Sequence, residues 1–272
     1  MNDLTPDRLV PALRTTWRSL LDLCRSLDGG EWDVPTDCPG WSVRDHVAHV
    51  IGTESMLAGR DRPDIEVPPA DHVHNEIGEV NEAWVQYYRT RPLADLVADL
   101  DAITSARAAE LEAMSSEDFA ADSWTPAGQS TYGRFMRIRV FDCWLHEQDI
   151  RRALGLPGAL ESPAADLALD EVVAAMGYVV GKRGGAPDGS VVVLDIVGPT
   201  ARTVNVQVEG RATVVDEPSQ PVTATLRIPF AHFMALTGGR VEAEPLLDDG
   251  TITLDGDTEL AGRVAANLAF TI

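Results

Sequence analysis

The stretch RIRVFDCWLHEQDIRRALG, residues 137–155, decides how the rest of the chain is read. It contains no proline, and its apolar residues recur three and four apart, the pattern of a helix with one buried face. On a wheel of about 100° per residue with Ile138 at zero, Phe141 and Leu145 fall within about 60° and mark that face. Asp149, Asp142 and His146 fall at about 20°, 40° and 80°, on or beside it, while Cys143, Glu147 and Gln148 lie away from its centre. A buried carboxylate without a partner is costly, so these groups need a cation, an arginine or one another. Asp142 and His146 are four apart, one above the other, the spacing at which a single cation can take two ligands from one helix. Arg139, on the same flank, is the competing partner.

Toward the amino terminus the helical period recurs. Thr5 and Pro6 open a helix whose Leu9, Leu13, Trp17, Leu20, Cys24 and Leu27 form one stripe. The turn-rich segment GGEWDVPTDCPGW (29–41) leads to Ser42, which with Asp45 three places on resembles a capping box. The second helix, through about Leu57, keeps Val43, Val47, Val50 and Ile51 inside, with His46 and His49 flanking them; periodicity does not choose between the two histidines. RPDIEVPPADHVHN (62–75) is a loop, and further helices are expected at Ile77–Tyr88, from Pro92 past Leu111, and at Tyr132–Leu154. Residues 1–156 therefore read as an all-helical, up-and-down bundle.

The period changes after Gly155. Ser162 and Pro163 open a helix to about Val180, and GKRGGAPDG (181–189) breaks it. SVVVLDIVG (190–198), RTVNVQVEG (202–210), VTATLRI (222–228) and TITLDG (251–256) read as strands, with helices expected at Phe230–Leu236 and Glu259–Leu268. Residues 160–272 thus form a smaller α+β domain, and the chain as a whole is α+β with two domains.

Composition narrows the function classes. With 44% hydrophobic and 24% charged residues, whole-chain disorder is excluded. Asp and Glu total 43 against 22 Lys and Arg, a net charge of -21, which repels nucleic-acid backbones and anionic membranes. The amino-terminal residues lack the pattern of a signal peptide, and no stretch is apolar for long enough to span a membrane. Cys24, Cys38 and Cys143 are odd in number and form no CxxC, so reduced thiols and a cytoplasmic location are expected. A GxSxG elbow and a glycine-rich phosphate loop are both absent from the sequence.

Three segments carry a family resemblance: CPGWSVRDHVAHVIG (38–52), HVHNEIGEVNEAWV (72–85), and the R-x-x-D-x-x-x-H-x-x-D-I-R-R-A-L-G run of 139–155. They resemble the mycothiol-dependent maleylpyruvate isomerase family, one of the DinB-like metal-binding helical bundles. Residues 160–272 are similar to the sterol-carrier-like α/β domain that follows the bundle there. The resemblance implies that His49 rather than His46, together with Asp142 and His146, holds Zn²⁺ or another divalent cation. The isomerases carry Glu where this chain has Asp142, one methylene shorter, which draws the cation toward the helix or inserts a water.

The implied chemistry is activation of a low-molecular-weight thiol, mycothiol, as a zinc-bound thiolate at the open metal position. The thiolate then adds to a cis-alkene diacid, permits rotation and is eliminated, or it is transferred to a small electrophile and stays attached. Asp149 either holds a ligand's ring N–H or pairs with Arg139. His74 and Asn75 match a recurring family segment, in a thiol-binding or a loop-packing role. Arg227, Arg240 and Arg263 are candidates for an arginine that meets anionic substrate. The expected partners are therefore a small thiol and a small electrophile, with neither nucleic acid nor membrane. The alternative is a non-catalytic small-ligand binding protein in which the polar cluster, or a metal within it, is structural. The acidic, arginine-using, alanine-rich composition points to a GC-rich source genome such as an actinobacterium's.

Overall fold

The computed structural model describes residues 4–156 and 158–271. It divides into two compact units, one ending at Ala159 and the other beginning at Leu160.

The first unit is built on five long or medium helices: α1 (Pro6–Ser26), α2 (Val43–Leu57), α3 (Glu76–Arg89), α4 (Leu93–Glu112) and α6 (Tyr132–Ala153), with a one-turn α5 (Ser116–Ala120). The apolar stripes foreseen from the period make its core. Leu9, Leu13, Trp17 and Leu20 of α1 meet Leu96, Leu100 and Ile103 of α4 and Met136 and Val140 of α6, all essentially inaccessible to water. Asp45 starts α2 by accepting from the Ser42 backbone N–H at 2.8 Å and from its hydroxyl at 2.9 Å, the expected box in its aspartate form. The Thr5 hydroxyl, by contrast, makes no capping bond among the described residues; α1 begins on Pro6 with the Thr5 carbonyl accepting from Arg8 and Leu9.

Gly52 sets the spacing of α2 and α3. A Cβ there would lie 2.4 Å from the Trp84 ring, so the indole rests directly on the α2 backbone. This packing seats α2, with its two histidines, closely on α3.

The unit is not all helical. Strands β1 (Asp122–Thr125) and β2 (Gly128–Thr131) pair antiparallel and deliver the chain into α6. Their turn, Thr125-Pro126-Ala127-Gly128, needs a positive φ at Gly128, which is +97°. Four-residue strands of Ser, Thr and Gln carry little apolar alternation, which is why the periodicity does not reveal them.

The second unit carries a five-stranded sheet in the order β5-β4-β3-β6-β7, with β3 (Val191–Val197) and β6 (Ala224–Pro229) parallel and the other pairs antiparallel. β4 (Arg202–Glu209) and β7 (Thr253–Gly256) fall where alternation placed them, whereas β5 (Arg211–Val215) follows Gly210 in a tight hairpin that the alternation misses. β5 is a largely exposed edge strand, so it shows no buried face in the sequence. α7 (Pro163–Tyr178) packs on β4 and β5, and α10 (Thr258–Ala266) on β6 and β7; α8 (Phe230–Thr237) and a short α9 (Ala243–Asp248) complete the unit. Beyond α7 the chain takes a π-helical turn over Val179–Arg183, so the expected break begins later than Gly181. No helix among the described residues is long and apolar enough to cross a membrane.

Candidate metal centre

α2 and α6 run side by side and bring five titratable side chains together. His49 Nε2 stands 3.1 Å from Asp142 Oδ2, and His146 Nε2 stands 3.5 Å from Asp142 Oδ1. One ligand atom from each of His49, Asp142 and His146 lies within 4.8 Å of the others. On the far side of His146, its Nδ1 is 2.8 Å from His46 Nδ1 and 3.4 Å from Asp149 Oδ2. His146 is thus the hinge between an outer group that reaches partial exposure at Asp142 and an inner, fully buried group of His46 and Asp149. The Trp41 ring, with its centroid 5.3–5.6 Å from those of His49, His46 and His146, walls the cluster on one side.

Charges of the opposite sign anchor these groups. The Arg139 guanidinium contacts Asp142 Oδ2 and donates to Glu54 Oε1 at 2.9 Å; Arg107 donates to the other Glu54 oxygen at 3.2 Å. Glu54 is therefore a buried carboxylate clamped between two buried arginines. Arg152 reaches Asp149 Oδ1 at 2.8 Å and Asp37 Oδ2 at 2.9 Å, tying the 34–41 loop to α6. Asp149 stands beside a ring nitrogen of His146, whereas Arg139 contacts Glu54, Asp142 and Cys143.

The electrostatics follow from burial opposed by charge. Burial alone would raise Asp142, yet Arg139 and the two imidazoles hold it well below the ordinary carboxylate value, so it is ionised. Burial pushes His49 below its ordinary 6.5, against the attraction of Asp142. Burial would also lower His146, but Asp142 and Asp149 outweigh it and raise the imidazole. A carboxylate and two imidazoles so placed could hold a cation. The same burial pushes the thiols of Cys24 and Cys143 up to about 12, which leaves them poor nucleophiles.

The one-stripe reading of α6 needs correction. Cys143, Glu147 and Gln148 are buried, because α6 is packed by α1 and α2 and by the β1–β2 hairpin rather than along one stripe. Glu147 accepts from Ser19 of α1 at 2.6 Å and from Arg151 at 2.8 Å. Asn75 is the N-cap of α3, accepting from the Gly78 N–H at 2.9 Å, and His74 is exposed. The nearby His72 instead reaches buried Glu82 at 3.1 Å, where the Trp41 indole also donates at 3.3 Å, and its ring packs on Gly40. Arg227 pairs with Asp195, Arg263 with Glu259, and Arg240 donates to the Gly238 carbonyl.

Sequence reasoning passed over Trp41, Glu54 and the inner role of His46. Glu54 had a signal: it continues the Val43, Val47, Val50 stripe, and a charged residue on an apolar stripe demands a buried partner. Trp41 and His46 had none in the period, because their contacts join different elements.

Comparison with known proteins bears on the whole chain. Residues 13–151 match the model of the mycothiol maleylpyruvate isomerase N-terminal domain, and residues 166–263 match that of the MDMPI C-terminal domain. Two crystal structures of the mycothiol-dependent maleylpyruvate isomerase are similar to this chain. A histidine-to-alanine mutant aligns with a TM-score of 0.58 at 15% identity, covering 94% of this chain and 96% of that one. The other gives 0.54 at 16% identity, covering 89% and 93%. Sterol Carrier Protein 2 from Yarrowia lipolytica aligns over 38% of this chain and 93% of its own, at 15% identity and a TM-score of 0.28. None of the curated protein sequences matches.

Proposed function

The chain belongs to the mycothiol maleylpyruvate isomerase family, a family of enzymes, and from that premise we propose that it is a divalent-metal-dependent enzyme acting with a low-molecular-weight thiol, mycothiol, on a small electrophilic substrate. The observation that carries this reading is the convergence of His49, Asp142 and His146 from two helices. Two imidazoles and one carboxylate are a donor set for Zn²⁺ with a fourth position left for a small ligand. Their nearest separations, 3.1 and 3.5 Å, bracket the ligand spacing of about 3.3 Å set by tetrahedral bonds of roughly 2.0–2.1 Å. Asp142, though one methylene shorter than the family's glutamate, lies close enough to both imidazoles to complete that set.

A bound divalent cation supplies the Lewis acidity that lets a thiol lose its proton near neutral pH. The chain's own groups prepare the place. Arg139 keeps Asp142 ionised and fixes its carboxylate, so no proton has to leave it when a cation arrives. His146, raised by Asp142 and Asp149, must release a proton from Nε2 to offer its lone pair there. Trp41 covers one side of the imidazoles and keeps water off it. Cys24 and Cys143, held in their thiol forms, are poor nucleophiles, which supports a nucleophile supplied by a small thiol. Such a thiolate can add to a cis-alkene diacid and leave again after rotation, or displace a leaving group and remain attached.

The test is a zinc titration followed by a turnover screen of the zinc-loaded protein, with and without mycothiol, against maleylpyruvate and reactive electrophiles. Stoichiometric zinc and thiol-dependent turnover are expected. Asp142→Ala and His146→Ala should each lower zinc affinity by at least the roughly tenfold to hundredfold typical of lesser losses around a metal. Wild-type stoichiometry and affinity in both variants would sink the assignment of the donor set. A protein that binds no zinc and turns over nothing would instead be a ligand-binding relative.

A further inference from the structure

A single hydroxyl fixes the order of protons at the candidate metal centre. Thr36 Oγ1 makes three contacts: it accepts from the Cys38 N–H at 3.2 Å, lies 3.1 Å from the Trp41 carbonyl oxygen, and lies 2.8 Å from His46 Nε2. A carbonyl oxygen can only accept, so the one order that places a proton in all three contacts points the hydroxyl at Trp41. Both lone pairs of Oγ1 are then acceptors, and His46 Nε2 must carry the proton it donates to Thr36. The opposite order would leave the 3.1 Å contact with the Trp41 carbonyl, which also accepts from the Thr36 N–H at 3.0 Å, without a proton of its own.

A neutral imidazole carries one ring proton, so His46 Nδ1 holds only a lone pair. That lone pair faces His146 Nδ1 at 2.8 Å, and His146 Nδ1 must therefore be the donor. Asp149 Oδ2, 3.4 Å from the same nitrogen, is a second acceptor, and Arg152 fixes the aspartate by its other oxygen at 2.8 Å. With its proton held on Nδ1, His146 turns the lone pair of Nε2 toward Asp142, 3.5 Å away. His49 differs: its Nδ1 is buried without a hydrogen-bond partner among the described residues, so no donor or acceptor holds that side of its ring.

We propose that Thr36 and His46 are positioning residues of this centre, holding His146 through the chain Thr36 Oγ1–His46–His146 in the tautomer whose Nε2 can ligate a divalent cation. The role rests on the metal reading above, but the proton order rests only on the contacts just described. Thr36 sits in the 34–41 loop, so that loop, through Thr36 and through the Asp37–Arg152 pair, sets the ligand chemistry of a helix far away in sequence.

Long-range proton–nitrogen NMR of the chelator-treated full chain, at a pH where its imidazoles are neutral, reads the ring protons directly. The expected result is His146 protonated at Nδ1 and bare at Nε2, with His46 the reverse. This needs no variant and so does not depend on one folding. Thr36→Val is expected to populate the other His146 tautomer and to weaken zinc binding roughly tenfold, whereas Thr36→Ser retains both properties. His146 protonated at Nε2 in the wild type overturns the proposal. So does a Thr36→Val protein with unchanged ring spectra, whether its zinc affinity falls, which would mark a merely structural role, or stays the same. Wild-type protein with the expected tautomers but no zinc binding overturns the metal reading, and the positioning role with it, while leaving the proton order intact.

Discussion

The two units of this chain bury opposite kinds of interior. In the helical unit, α2 and α6 bury Asp45, His46, His49, Glu54, Arg137, Arg139, His146, Glu147 and Asp149, most of them in the mutual contacts already described. In the sheet unit, β3 and β6 bury Val191, Val192, Val193, Leu194, Ile196, Leu226 and Ile228, and among the described residues buried charge there is confined to Asp170 and Glu171 of α7. Apolar packing alone makes a stable interior, and buried ion pairs replaced by well-packed apolar groups are often neutral or stabilising. The polar interior of the helical unit is therefore not explained by stability. On the metal reading proposed above, it holds side chains in fixed places for chemistry, a demand the sheet unit's core does not share.

The largest effect that can break this comparison is expected at Glu54. Glu54→Ala leaves Arg139 and Arg107 facing each other without their shared carboxylate, and should cost about 3–5 kcal/mol in urea unfolding. Leu226→Ala in the sheet unit should cost about 2–5 kcal/mol by cavity formation alone and leave zinc binding untouched. A small loss at Glu54 would mean that the clamp is dispensable and the polar interior is slack. Zinc itself comes next. At a hundredfold over its dissociation constant it should stabilise the native state by about 2.7 kcal/mol. Amide exchange should slow in α2 and α6 but not in β3 and β6. Equal slowing in both units would erase the distinction.

The smallest effect is in the pH dependence of the metal-free protein. His49, lowered by burial, contributes stability that is complete above 6.5 and is lost as pH falls toward its depressed value. His146, which Asp142 and Asp149 raise despite burial, contributes stability that is complete below 6.5 and is lost as pH rises through its elevated value. The two slopes oppose each other, so the urea midpoint of chelator-treated protein should peak near 6.5. Asp142 adds a loss only in strong acid, since its own carboxyl is held well below the ordinary value. A midpoint that climbs steadily through neutral pH would show that His146 is not held by its carboxylates.

The same contrast explains what the sequence disclosed. Strands such as VVVLDIV declare themselves because the whole run is buried, and the stripes of α1, α2 and α4 do so because each has one apolar face. The wheel also set Asp142, His146 and Asp149 on one side of α6, where the structure has them. It failed for Cys143, Glu147 and Gln148, since a wheel assumes one buried face and α6 is enclosed on several. Period cannot show that Thr36, in a loop, hydrogen-bonds a histidine ten residues on, or that Glu54 faces arginines 53 and 85 residues away. Those links belong to packing between elements, and packing is not written in any single element's pattern.

Gly52 carries a consequence for how such a chain can change over time. The Trp84 indole occupies the place of the missing methyl, so any other residue at 52 must drive α2 and α3 apart. His49 sits three residues before it on the same helix, within one turn. A change of one carbon at position 52 therefore reaches the imidazole as a displacement, without touching any polar group. Divergence in this molecule has two separate dials. The residues around Asp142 alter which chemistry is offered, and the bare backbone at Gly52 governs how closely α2, which carries His49, lies against α3.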